Sequence, residues 1–150
     1  MTHIQLQTLI AASPDRCFDL SRSIDLHQSS MIRNDEKAIA GKLSGLIELS
    51  ESVTWQATHF FIIHKLSSRI IEMKKPEYFI DEMIEGAFLS MWHRHSFQSK
   101  GEFTLMTDDF KYEVPYGILG GIFNFCVLKN YMTKILRLRN EEIKRVAESK

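Results

Sequence analysis

The stretch from Pro115 to Lys150 constrains this chain more than any other. Pro115-Tyr116-Gly117 ends whatever precedes it. Ile118 to about Ala147 has no further proline, and its glycines, Gly120 and Gly121, both fall in the first turn. Ile122 to Leu128 is apolar almost all round. Beyond it Leu128, Met132, Ile135, Leu136, Ile143 and Val146 recur at helical spacing, with Lys134, Arg137, Arg139, Glu141, Glu142 and Lys144 between them. The pattern predicts one long helix, buried in its first half and amphipathic in its second. At ~1.5 Å per residue, about 28 residues reach roughly 42 Å. A small domain needs no surface helix of that length, so other elements have to wrap around it.

The chain has 150 residues, which predicts one domain over 1–150. A domain of this size buries ~70% of its unfolded surface, enough for a core and a cavity. Nineteen basic and nineteen acidic residues balance to zero, the wrong electrostatics for a nucleic-acid partner. The Lys and Arg between Lys129 and Arg145 share their segment with Glu141 and Glu142 and read as a solvated helix face. Cys17 and Cys126 stand far apart, each in an apolar helical pattern. They suggest small buried hydrophobes rather than a disulfide or a metal site. The first residues lack the basic start and apolar run of a signal peptide. No run of ~18 apolar residues predicts a membrane span. A reducing cytoplasm is the expected setting.

Before the helix, His3 to Ala11 alternates as a strand, with Ile4, Leu6, Thr8 and Ile10 on one face. Ser13-Pro14 opens a short helix containing Cys17, Phe18 and Leu20, and Ser23 caps a second that runs to about Met31. Lys37 to Glu48 reads as a strand kinked at Gly41 and Gly45. Strands follow over Glu51–His64 and Lys65–Met73, with a tight turn near His64. Two more cover Tyr78–Glu85 and Ala87–Phe97, with a kink at Gly86. A hairpin turn at Ser99–Gly101 leads to the last strand, Glu102–Val114. The order is β-α-α-β-β-β-β-β-β-α. Short turns between consecutive strands make an antiparallel meander, and about seven strands must twist and curl. The fold class is α+β: a curved antiparallel sheet around one long C-terminal helix, with two short helices after the first strand.

Several segments resemble one superfamily in order and spacing. These are Ile10 to Leu20, Val53-Thr54-Trp55, Pro76 to Glu82, Gly86-Ala87-Phe88, His93-Arg94-His95-Ser96-Phe97, and Thr104 to Asp108 running into Pro115 to Gly120. The chain resembles the SRPBCC superfamily over nearly its whole length. That superfamily includes START lipid-transfer domains, birch-pollen-allergen-type plant proteins and bacterial polyketide cyclase/dehydratase-like proteins. The resemblance implies a helix-grip fold with a cavity between sheet and helix. It also implies that Phe79, Asp81, His93, His95 and Phe97 point toward the helix, joined by Asp108. Arg94 departs from the acidic residue that similar proteins often carry there.

A carboxylate beside an imidazole can orient it as a general acid or base. Two imidazoles two residues apart on one strand face can also ligate a metal, which would want a third ligand; His59 is the only candidate on a neighbouring inward face. The blander alternative is that these groups satisfy one another in a partly polar cavity wall. No cofactor or resident metal is expected. The expected ligand contacts are Trp55, His59, Phe79, Asp81, Met83, His93, His95, Phe97, Met106, Asp108, Phe125 and Met132.

The expected function is binding, as carrier or sensor, of a small hydrophobic or amphipathic molecule such as a lipid, aromatic or polyketide-like metabolite. The expected opening lies at Gly41–Gly45 and the short helices of Ser13–Met31. One alternative is a cyclase- or dehydratase-type enzyme with His93 or His95 as acid/base, oriented by Asp81. Another is a filled-core interaction protein. A monomer and a homodimer both remain open.

Overall fold

A computed structural model describes residues 1–149; Lys150 lies outside them. Seven strands form one antiparallel sheet in the order β1-β7-β6-β5-β4-β3-β2. They are β1 (Thr2–Ile10), β2 (Lys37–Gly41), β3 (Ser52–His59), β4 (Ile62–Lys74), β5 (Tyr78–Glu85), β6 (Ser90–Lys100) and β7 (Phe103–Glu113). β2 to β7 are a meander, and β1 returns to lie beside β7. After β1 come α1 (Pro14–Ser21) and α2 (Ile24–Ser30), capped by the Ser13 and Ser23 hydroxyls. The predicted architecture and the two short helices are therefore present. A short 3₁₀ turn, Ile32–Asn34, follows α2.

The C-terminal helix is continuous but not uniform. α3 (Gly117–Phe123) passes through a π-helical turn, Asn124–Leu128, into α4 (Lys129–Glu148). Asn124 faces the sheet there, accepting from Tyr112 Oη at 2.5 Å and donating to Thr2 Oγ1 at 2.8 Å. The extra residue in the turn lets the helix swing that amide onto the sheet edge.

The second half of this helix is amphipathic as expected, but the first half is not buried. Leu136, Arg139, Asn140, Ile143 and Ala147 of α4 are buried, whereas Ile118, Leu119, Ile122, Phe123, Phe125 and Val127 are exposed. The sheet curls around the second half, and the apolar first half extends past its grip. Cys126, on this exposed part, is not the buried hydrophobe expected, while Cys17 is buried. The β3–β4 turn also comes earlier than predicted, at Phe60-Phe61 rather than near His64. Val53, Trp55 and Ala57 are buried on the inward face, whereas Phe61 and Ile63 are exposed.

The inner face is layered. One apolar cluster joins Ile10, Phe18, Phe97, Met106, Ile143 and Ala147. A second joins Ile4, Met91, Phe110, Tyr112 and Leu136. Between them, at one level on three elements, lie His93 and His95 of β6, Asp108 of β7, and Arg139 and Asn140 of α4. The strand register enforces this layer: His95 sits opposite both Phe79 and Asp108, and His93 opposite both Asp81 and Phe110.

Candidate functional site

Sheet and helix enclose a cavity of about 530 Å³. Its walls are largely apolar, from Trp55 and Ala57 on β3, Phe79 on β5, Met91 on β6, and Met132 and Leu136 on α4. Phe60, Tyr116 and Phe123 line the cavity and are also exposed, which puts its mouth between the β3–β4 turn and the start of the C-terminal helix. This corrects the expected opening. No residue of Gly41–Gly45 lines the cavity, and Ile24 and Met31 of the short-helix segment are buried wall.

Polar side chains form one floor. Asp108, fully buried, accepts from His93 Nε2 at 2.7 Å, Asn140 Nδ2 at 2.7 Å and Arg139 Nη1 at 3.3 Å. Asp81 accepts from His95 Nε2 at 2.9 Å. Arg139 Nη2 donates to His95 Nδ1 at 3.2 Å and to the Ser21 carbonyl at 3.4 Å. The two imidazoles stack with centroids 3.7 Å apart, and Phe79 stacks on the outer face of His95 at 4.2 Å.

A guanidinium can only donate, so His95 Nδ1 must accept and its proton must sit on Nε2, facing Asp81. Both His95 nitrogens are thereby committed. Burial, then the neighbouring His93 and Arg139 charges, push its pKa down to about 3 against the pull of Asp81. His95 is a neutral spacer. Burial raises the pKa of both carboxylates, but hydrogen bonds from His95 to Asp81 and from His93 to Asp108, with the charges around them, outweigh it. Both lie below the ordinary range. With Asp108 ionised, His93 donates from Nε2, and its Nδ1 has no partner among the described residues; the nearest acidic atom is Asp81 Oδ1, 4.0 Å away.

Asp81, His93 and His95 bring three potential ligand atoms within 4.8 Å of one another. They do not suit a metal ion. Ligation through His95 Nε2 would require both nitrogens of that ring to present lone pairs, because Arg139 already occupies Nδ1. The guanidinium would also repel the cation. His59 is not part of this group: its Nδ1 lies 2.7 Å from Tyr131 Oη, which accepts from Asn34 Nδ2 at 3.1 Å.

Of the expected contact residues, Trp55, His59, Phe79, Asp81, His93, His95 and Met132 line the cavity. Phe97 and Met106 belong to the apolar cluster beside α1. Met83 packs against the other cluster, and Asp108 lies behind His93 rather than in the wall. Phe125 is 84% exposed and points away from the cavity altogether. The expected pairing also changes, since Asp81 holds His95 while Asp108 holds His93. Arg139, one of the charges between the apolar positions by sequence, and Asn140 anchor the floor. Their signal is phase: positions 132, 136, 139/140, 143 and 147 fall on one helical face.

No protein-family model matches the chain, and no curated protein is significantly similar to it. Solved structures are similar. The protein TTHA0849 from Thermus thermophilus superposes with a TM-score of 0.76 at 18% identity, over 99% of this chain and 100% of that one. A START superfamily protein from Mycobacterium smegmatis gives 0.73 at 13% identity, over 97% of each chain. Major latex-like protein 151 from Panax ginseng gives 0.69 at 16% identity, over 99% and 98%. Sheet order, helix placement and these superpositions agree: the chain has the helix-grip fold that the START superfamily protein and the major latex-like protein share.

Proposed function

We propose that the chain binds a small hydrophobic or amphipathic molecule in the cavity between sheet and helix, as a carrier or sensor. The observation that carries this reading is the cavity itself, about 530 Å³, apolar-walled and open at one end. A chain selected only to fold would fill such a space, since unfilled volume costs stability. Burying ~300 Å² of ligand hydrocarbon at ~25 cal/mol per Å² contributes roughly 7 kcal/mol, micromolar binding before ordering costs. The polar floor orients the ligand, as a few convergent polar groups do in apolar pockets. Native mass spectrometry of protein purified from its host, followed by organic extraction, tests the reading. A co-purifying apolar molecule is expected. Empty protein whose melting temperature ignores a panel of hydrophobic ligands would argue for the interaction-protein alternative.

One observation favours acid/base catalysis as a second reading. His93 is held through Nε2 by Asp108, itself fixed by Asn140 and Arg139, and its Nδ1 is left without a partner among the described residues. A ring so oriented can take a proton from a bound substrate at Nδ1 while Asp108 stabilises the imidazolium. Here His93 is the base and Asp108 its orienting partner; His95, with both nitrogens engaged, takes no part in proton transfer. Turnover lost in His93→Gln with ligand binding retained would support it.

A further inference from the structure

We propose, resting on the cavity-binding reading, that the cavity takes apolar molecules whose polar end is a hydrogen-bond donor, a hydroxyl or an amine. Molecules ending in a carboxylate are rejected. The two floor carboxylates are unequally served. Asp108 receives three donors, from His93, Asn140 and Arg139. Asp81 receives one, from His95 to Oδ1. Its second oxygen has no partner among the described residues, and it is not among the sealed-off unbonded atoms, so it opens to the cavity that Asp81 lines. His93 Nδ1 is open in the same way.

Among the described residues, the floor thus offers the cavity two open acceptor atoms, and its one cation, Arg139, has both Nη groups engaged. Arg139 spends Nη1 on Asp108 and Asn140, and Nη2 on the Ser21 carbonyl and His95. Arg22, the other arginine in the wall, is held by Asp19, Glu48 and the Ile47 carbonyl. Lys65 is exposed. A half-buried carboxylate with a single donor is under-satisfied, and a ligand N–H or O–H supplies what it lacks.

His93 Nδ1 and Asp81 Oδ1 are 4.0 Å apart. One ligand oxygen or nitrogen about 2.8 Å from Nδ1 also comes within reach of the Asp81 carboxylate. An amine has donors for both. A hydroxyl directs its single donor to the carboxylate, the stronger acceptor. A ligand carboxylate there would face the Asp81 carboxylate, and the one guanidinium nearby, Arg139, is already shared among Asp108, Asn140, His95 and the Ser21 carbonyl. Turned around toward Lys65, it would press its hydrocarbon tail onto the charged floor.

Four congeners of one apolar body test this: para-hexylphenol, para-hexylaniline, para-hexylbenzoate and para-hexyltoluene, each titrated near neutral pH by calorimetry. A hydrogen bond to a charged group is worth ~1.5–3 kcal/mol, roughly 10- to 100-fold in affinity. The phenol and aniline are expected to bind at least about tenfold tighter than the toluene, and the benzoate weaker than the toluene. Asp81→Asn is expected to bring the phenol-to-toluene ratio below about threefold and to improve the benzoate, since the repelling charge is gone. Equal binding of phenol and toluene, or tightest binding by the benzoate, overturns the donor rule and leaves the cavity reading standing. Failure of all four, the toluene included, removes both. The wild-type ratios decide the matter even if Asp81→Asn does not fold.

Discussion

Replacing Arg139 with leucine removes the cation that ties helix to sheet at the level of the polar floor. Arg139 is 5% exposed and serves four acceptors: Asp108 at 3.3 Å, Asn140 at 3.2 Å, His95 at 3.2 Å and the Ser21 carbonyl at 3.4 Å. Breaking a buried ion pair by deleting one partner costs ~3–5 kcal/mol, because the other charge stays buried without compensation. Asp108 keeps its His93 and Asn140 donors, both at 2.7 Å, which puts the cost at the low end, about 3 kcal/mol. For a chain of this length 1 kcal/mol corresponds to ~2–4 °C, so the melting temperature should fall by roughly 6–12 °C. Thermal unfolding followed by circular dichroism reads it directly. Arg137→Leu, on the exposed face, should change stability by no more than ~0.5 kcal/mol. Arg139→Lys keeps the charge but cannot reach four acceptors, and should fall between. A loss below ~1 kcal/mol for Arg139→Leu would refute the reasoning, since it would mean the guanidinium is not a buried partner of Asp108.

Acidification should destabilise the fold well above the carboxylate range. His95 stays neutral in the folded chain down to about 3, while in the unfolded chain it gains a proton below ~6.5. Between those values the unfolded state binds more protons, so stability falls as pH falls, by about 2 kcal/mol from pH ~7 to ~5. Asp81 and Asp108, with lowered folded pKa values, add stability that is lost only on further acidification below ~3.9. Denaturant titrations at several pH values should show this slope, flattened above pH ~5 in His95→Gln; a flat wild-type profile would contradict it. Neighbouring glycines should respond with opposite signs. A Cβ at Gly120 would drive into the Pro115 carbonyl, whereas one at Gly121 meets nothing within 4 Å. Gly120→Ala should cost ~1–3 kcal/mol and Gly121→Ala should gain up to ~1 kcal/mol in urea unfolding; equal effects would show that the helix start is not pinned there. Phe61 holds φ of +63° at a turn tip. Phe61→Gly should raise stability by ~1 kcal/mol by relieving the left-handed strain, and a loss would show that the ring packs somewhere.

Periodicity exposes most of the fold. Alternation in β1, β3, β6 and β7, the serine caps of α1 and α2, and the long proline-free stretch each depend on neighbours a few residues away, and local pattern reports such forces well. The exposure of Ile118 to Val127 is invisible to it, because apolar content says that a surface tends to be covered, not where the sheet stops curling. The Phe60-Phe61 turn escapes it because two phenylalanines rarely occupy left-handed turn positions. The site divides in the same way. His93 and His95 share a face by alternation alone, and the resemblance adds Asp81 to it. That Asp108 rather than Asp81 holds His93 depends on the β6–β7 register, and that Arg139 closes the network depends on helix rotation, both set by tertiary packing.

The central claim is that the space between sheet and helix is a binding cavity, and a solvatochromic apolar fluorophore tests it most directly when wild type is compared with Ala57→Trp. Ala57 is buried on β3 and lines the cavity, so an indole there occupies the ligand's volume without touching the exposed half of the helix. The account predicts one displaceable fluorophore per chain in the wild type and markedly weaker binding in the folded variant. Undiminished binding in Ala57→Trp would put the fluorophore on the outer apolar surface around Phe61 and Ile122, and would contradict the cavity as the site.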